Sequence, residues 1–248
     1  MSLRLSSSLV VCFVLAFAHV AHAVSQTTLA VAAASDLTPL EIPLGSSFGK
    51  THPGIHISWV TASSAMLSQQ IRNGAPYDVF LSANAQFVDE LASNRNLLTE
   101  SVTSYAVGRL GVLWRDGKRH PLSNLAAPDV RFVALPNPKL APYGVAAQQA
   151  LEHAGIWSRV RSKVVYGENV RQALELFESG NADAVLTSDS LLRGRNADLI
   201  PADWHSPILQ KAGIVAKTTN LDAARRFIRF LSSPAAQDIF AQFGFSRP

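Results

Sequence analysis

The sequence predicts an α/β protein built on mixed, mostly parallel sheets. Short apolar runs of strand length alternate along the chain with segments of helical periodicity. Small, hydroxyl or helix-capping residues repeatedly stand where a run ends and a helical pattern begins. Alternation of this kind produces crossover units, and ligands then gather beyond the carboxyl ends of the strands.

Expected strands are Thr28–Ala34, Ile55–Ala62, Asp78–Ser82, Val107–Trp114, Arg131–Leu135, Lys163–Tyr166, Ala184–Thr187 and Leu209–Ala216. Helices are expected between them. Val170, Ala173, Leu174 and Phe177 recur at i, i+3, i+4, i+7, as do Ala147, Ala150, Leu151 and Ala154, the latter closed by Gly155. Phe87, Val88 and Leu91 mark another helix, and Ala223, Phe227, Ile228 and Leu231 a further one. Ser233-Pro234 opens the last, with proline in the first turn. Pro39 and Pro43 make the segment after the first strand irregular.

Residues 1–23 read differently. Arg4 is their only charge, Leu9–Ala18 is apolar, and Ala21-His22-Ala23 is a small-x-small cleavage pattern. A cleaved secretory signal and an exported, periplasmic protein are expected, because the apolar run is short for a membrane span. The single cysteine, Cys12, leaves with that signal, so the mature chain has no disulfide and no thiolate metal site.

Of 248 residues, 22 are Lys or Arg and 18 Asp or Glu, a formal charge of +4. The basic residues are scattered, and with export this argues against a nucleic-acid partner. A mildly positive field favours anions. His52 and His56 are separated by Pro53 and Gly54, so they share no helix face, and no free-cation metal site is expected. Gly45-Ser46-Ser47-Phe48-Gly49 matches the Gly-x-Ser-x-Gly elbow of a secreted serine hydrolase, with Ser47 as nucleophile. Its flanks lack the strand and helix that the elbow requires. No catalytic residue is expected from this pattern.

Several junctions carry hydrogen-bond donors. Ala34-Ser35-Asp36 and Ala62-Ser63-Ser64-Ala65 place Ser35 and Ser64 as N-cap candidates beside small residues. Asn169 with Gln172 resembles a capping box and leaves the Val170 N–H in an unpaired first turn. Ala141-Pro142-Tyr143-Gly144 precedes another helix. If these starts converge, their N–H and hydroxyl groups form a cradle for a deprotonated tetrahedral dianion, whose oxygens only accept. Asp36 is expected to lie in its own first turn and face outward, since a carboxylate in the cradle would repel such an ion.

The order of these motifs resembles the periplasmic molybdate-binding proteins of ABC transporters. Ala32–Leu37, Ser63-Ser64 with Leu67, Gln70 and Ile71, Gly74–Ala83, Asn137-Pro138, Ala141–Gly144, Gly155–Trp157, Glu168–Leu174, Ser233–Ala236 and Phe243–Phe245 carry the resemblance through the mature chain. It implies a two-lobed type II periplasmic-binding-protein fold with a ligand cleft between the lobes. Lobe one would be residues 24–104 plus 209–248 and lobe two residues 105–208. It implies a monomer without a cofactor, binding molybdate or tungstate and delivering it to a membrane permease. Sulfate or another oxyanion is the alternative, because the choice rests on cavity size. Family binding positions fall on Ser35, Ser64, Tyr143, Val170 and Leu186. Two depart from the family pattern: Tyr143 stands for the usual alanine, and Leu186, ahead of Thr187-Ser188-Asp189, for a frequent tyrosine. The Tyr143 hydroxyl is expected to supply the donor that Leu186 lacks.

Overall fold

The computed structural model describes residues 26–248, and the expected signal lies outside them. Two five-stranded sheets form the protein. The first contains β1 (Thr27–Ala34), β2 (Ile55–Ala62), β3 (Val79–Ser82), β4 (Thr103–Gly108) and β10 (Ile208–Ile214), in the order β2-β1-β3-β10-β4. The second contains β5 (Leu110–Trp114), β6 (Val133–Pro136), β7 (Val164–Gly167), β8 (Ala184–Ser188) and β9 (Asp198–Leu199), in the order β7-β6-β8-β5-β9. In each sheet one strand runs parallel to both of its neighbours: β1 to β2 and β3, and β6 to β7 and β8. The strands that follow the crossings, β10 and β5, pair antiparallel.

Both sheets are covered on both faces, which accounts for their continuous apolar runs. Side chains alternate between the faces. In the first sheet Leu29, Val31, Ala33, Val79 and Leu81 enter one core with Phe48 and Phe227, while Ala32 and Phe80 enter another with Leu67 and Leu91. In the second, Val133, Leu135, Ala184 and Leu186 face one core, and Ala134 and Val185 the other. The covering helices are α1 (Glu41–Thr51), α2 (Ser64–Arg72), α3 (Ala85–Ser93), α4 (Pro142–His153), α5 (Trp157–Val160), α6 (Val170–Glu178), α7 (Asp189–Leu192), α8 (Leu221–Leu231) and α9 (Pro234–Gln242).

The chain passes from the first sheet to the second at Arg109, and returns between Leu199 and Ile208. The first crossing thus lies at Arg109 rather than after Ser104. It also divides the expected strand Val107–Trp114 in two. Apolar alternation runs through the break and hides it, but β4 pairs with β10 while β5 pairs with β8. Gly108 ends β4 where a Cβ would collide with the Tyr143 ring and crowd Gln210.

After β1 the chain forms a 3-10 turn, Ser35–Leu40, before α1 begins. Pro39 lies inside that turn and Pro43 in the first turn of α1, where its missing N–H costs nothing. Gly45–Gly49 lies wholly within α1. Ser47 is therefore mid-helix, with no strand-to-helix elbow, and the hydrolase alternative loses its geometric basis.

Candidate functional site

The site is assembled where strand ends of the first sheet meet helix starts of the second. Parallel register aligns Ala34 of β1 with Ala62 of β2, so the segments after both strands emerge side by side. Ala34 and Ala83 then share one buried cluster with Tyr143, Val170 and Leu186 from the other sheet. Ser35 follows Ala34 and Ser64 bonds to Ala83, so these two serines lie beside the cluster that holds Tyr143, Val170 and Leu186. Ser35 (5% exposed), Ser64 (1%), Tyr143 (1%), Val170 (3%) and Leu186 (0%) are buried there.

Ser35 is the first residue of the 3-10 turn, preceded by Ala34 at the cap position. Its carbonyl accepts from Thr38 Oγ1 at 2.9 Å. Its hydroxyl forms no hydrogen bond among the described residues and caps nothing. Ser64 is likewise not the N-cap. Ser63 takes that role, its Oγ accepting from the Met66 N–H at 3.4 Å. Ser64, one residue later, accepts the Ala83 N–H at 3.1 Å instead. That bond occupies the hydroxyl oxygen and leaves its hydrogen to donate elsewhere. The following Ala65 N–H reaches across the junction to the Leu140 carbonyl at 3.3 Å.

Asn169 caps α6, accepting from Arg171 N at 2.9 Å and Gln172 N at 3.0 Å. The return arm of the expected box goes to the N–H of Glu168, at 2.9 Å from Gln172 Oε1. Val170 is the first helical residue, so its N–H has no intrahelical acceptor. Its carbonyl is held by Thr187 Oγ1 at 2.9 Å. A Cβ on Gly167 would strike the backbone of Gln172 and Ala173, so only glycine lets β7 run this close beneath α6. Leu186 contributes packing to the cluster, and no donor.

Asp36 departs most from expectation. It does not face outward; it is 1% exposed and points to the other sheet. Its Oδ2 accepts the Tyr143 hydroxyl at 2.9 Å and also the Gln210 side-chain N–H. The Gln210 carbonyl oxygen in turn accepts from the Tyr105 hydroxyl at 2.6 Å. Ser190 of α7 donates to the Asp36 main-chain carbonyl at 2.6 Å. Oδ1 is buried without a partner. The expected outward pose fails because Asp36, second in the 3-10 turn, is held inward by the Tyr143 hydroxyl and Gln210.

Burial pushes the Asp36 carboxyl up to about 6, against the opposing pull of the Gln210 and Tyr143 hydrogen bonds and of the main-chain N–H groups of Asp36 and Leu37. Burial, reinforced by the Asp36 charge, raises the phenols of Tyr143 and Tyr105 well above their ordinary value. Both tyrosines therefore remain neutral donors. The Tyr143 hydroxyl is committed to Asp36, not free as the sequence led one to expect.

Sequence reasoning missed Gln210, Tyr105 and Ser190. Gln210 did leave a signal: a lone amide in the otherwise apolar start of β10, 0% exposed. Nothing local distinguished Tyr105 or Ser190. A surface cavity of about 550 Å³ lies between α1 and β2 and is lined by Ile42, Gly45, Ile57 and Trp59. It contains none of the junction donors.

Residues 29–246 match the family model for bacterial extracellular solute-binding proteins. The molybdate-binding protein ModA of Rhodobacter capsulatus is 30% identical over 223 residues, covering 86% of this chain and 86% of that protein. ModA of Azotobacter vinelandii is 32% identical over 188 residues, covering 71% and 73% respectively. The solved structure of the Azotobacter vinelandii periplasmic molybdate-binding protein superposes with a TM-score of 0.82 at 29% identity, over 89% of this chain and 99% of that one. The two-sheet architecture is thus the type II periplasmic-binding fold, and the chain belongs to the bacterial extracellular solute-binding proteins.

Proposed function

We propose that this protein is an exported carrier that captures molybdate, and tungstate with it, through neutral hydrogen-bond donors and delivers it to an ABC permease. The Ser64 hydroxyl carries the reading: its oxygen accepts the Ala83 N–H, which leaves its hydrogen available to donate to a ligand. The Val170 N–H at the start of α6 and the Ser35 hydroxyl add donors from both sides of the junction. A bare tetraoxyanion accepts at every oxygen, and charge-assisted bonds of this kind are roughly twice as strong as neutral ones. The similarity to the ModA proteins supports the choice of ion. The two sheets act as lobes that close on the ion, hinged at Arg109 and at the return between Leu199 and Ile208. The carrier works as a monomer in the periplasm after removal of residues 1–23, and it needs no cofactor.

Thermal melting of the exported form with molybdate, tungstate, sulfate and phosphate in parallel tests this. At a hundredfold excess over the dissociation constant, a ligand of the native state adds about 2.7 kcal/mol. Stabilisation by molybdate and tungstate is expected. Stabilisation by sulfate alone reassigns the ion, and no response to any of the four removes the carrier reading.

A further inference from the structure

A carboxylate has no place in a cradle built only from donors, yet Asp36, next to Ser35, is buried where the Tyr143 hydroxyl and Gln210 meet it. Its two oxygens are treated differently. Oδ2 receives two side-chain donors, from Tyr143 and Gln210, while Oδ1 receives none from a side chain and is closed off from solvent. That division suits a neutral carboxylic acid: a carbonyl oxygen that accepts, and an O–H whose hydrogen still lacks an acceptor. An incoming dianion supplies one.

We propose that Asp36 is the specificity-determining residue of the site, and that capture of a dianion is coupled to uptake of one proton on Asp36 Oδ1, which then donates to an anion oxygen. The inference deepens the carrier reading and rests on it. Proton uptake turns a repulsive group into another donor, and the balance is simple: one proton from solvent, one new O–H, no other bond changed. The unliganded carboxyl already sits near the middle of the accessible range, at about 6, so a neighbouring dianion has little further to move it.

No other ionisable group competes for the role. Tyr143 on α4 and Tyr105 on β4 are donors held neutral by burial. On α7, Asp189 pairs with Arg193 at 3.5 Å. On α6, Arg171 pairs with Glu175 at 3.0 Å and attracts Glu41 of α1. β1 carries no ionisable residue, and His56 of β2 lies at the opposite end of its strand from Ala62. Among the described residues Asp36 therefore has no counter-cation, and a proton can neutralise it.

Calorimetric titration of the exported protein with sodium molybdate, from pH 6.5 to 8.5 in buffers of different ionisation enthalpy, tests the coupling. The expected result is a dissociation constant that rises about tenfold per pH unit, with a buffer-dependent heat corresponding to about one proton absorbed per ion. Sulfate, fully deprotonated throughout, serves as a second probe and should show the same linkage if it binds. Asp36→Asn should still bind, with both the pH slope and the buffer-dependent heat gone. Molybdate binding without proton uptake by the wild type overturns the inference and leaves the carrier reading standing. So does a preference for hydrogen phosphate, which would bring its own proton to Oδ1. No heat with any oxyanion removes both.

Discussion

Replacing Asp36 by asparagine should stabilise the ligand-free protein at neutral pH. The carboxyl is raised from 3.8 in the unfolded chain to about 6 in the folded one. Between those values the native state holds a proton that the unfolded state has released. Stability is therefore greatest below about pH 4, falls as pH rises, and levels off above about pH 6. The difference of roughly two pKa units corresponds to about 3 kcal/mol at pH 7.5, at 1.36 kcal/mol per unit. Asparagine keeps a carbonyl oxygen for the Tyr143 and Gln210 donors and carries no charge at any pH. For a chain of this size the gain corresponds to about 6–12 °C in Tm. The assay is calorimetric melting of both proteins from pH 4 to 8 without oxyanion, read as the difference between them, so that contributions from other carboxylates cancel. The gap should be near its minimum at pH 4, open through pH 5–6 and stay constant above. A gap that is independent of pH, or that closes as pH rises, refutes a buried, raised Asp36.

Ser64→Ala should weaken molybdate binding by about 1.5–3 kcal/mol, read by titration, because it deletes a donor to a charged acceptor. It should also lower Tm, since the buried Ala83 N–H loses its partner. Tyr143→Phe removes one of the two side-chain donors that favour the Asp36 anion, so the stability loss should continue to higher pH than in the wild type in a melting series; an unchanged profile would show that the hydroxyl does not hold the carboxylate. Gly108→Ala places a methyl group against the Tyr143 ring, and overpacking of this kind costs about 1–3 kcal/mol. Its Tm should fall, and it should favour an expanded form in solution scattering. Asn169→Ala should cost about 1 kcal/mol in denaturant unfolding by uncapping α6.

Much of this was written locally. Strand positions followed from apolar runs where a strand is covered on both faces; the edge strand Ile55–Ala62, exposed on one face, also emerged with the expected limits. The capping role of Asn169 was legible because a cap is a contact between near neighbours in sequence. The site's donor positions were reached through a resemblance spread over many short motifs, none sufficient alone. The break at Arg109 was not legible, since a strand that leaves one sheet for another keeps its alternation through the change of partner. Nor was the choice between Ser63 and Ser64 as cap, which depends on where β3 brings the Ala83 N–H.

By itself, then, the sequence determined the α/β class, the donor-rich helix starts and the absence of free-cation spacing, all properties of residues close together in the chain. Only the tertiary structure decided what Asp36 does. Its partners Tyr143 and Gln210 are 107 and 174 residues away, and they meet it only because two sheets close over the same turn. A carboxyl that would be an ordinary surface acid on a solvated turn becomes a proton acceptor near neutral pH once that closure takes its water away.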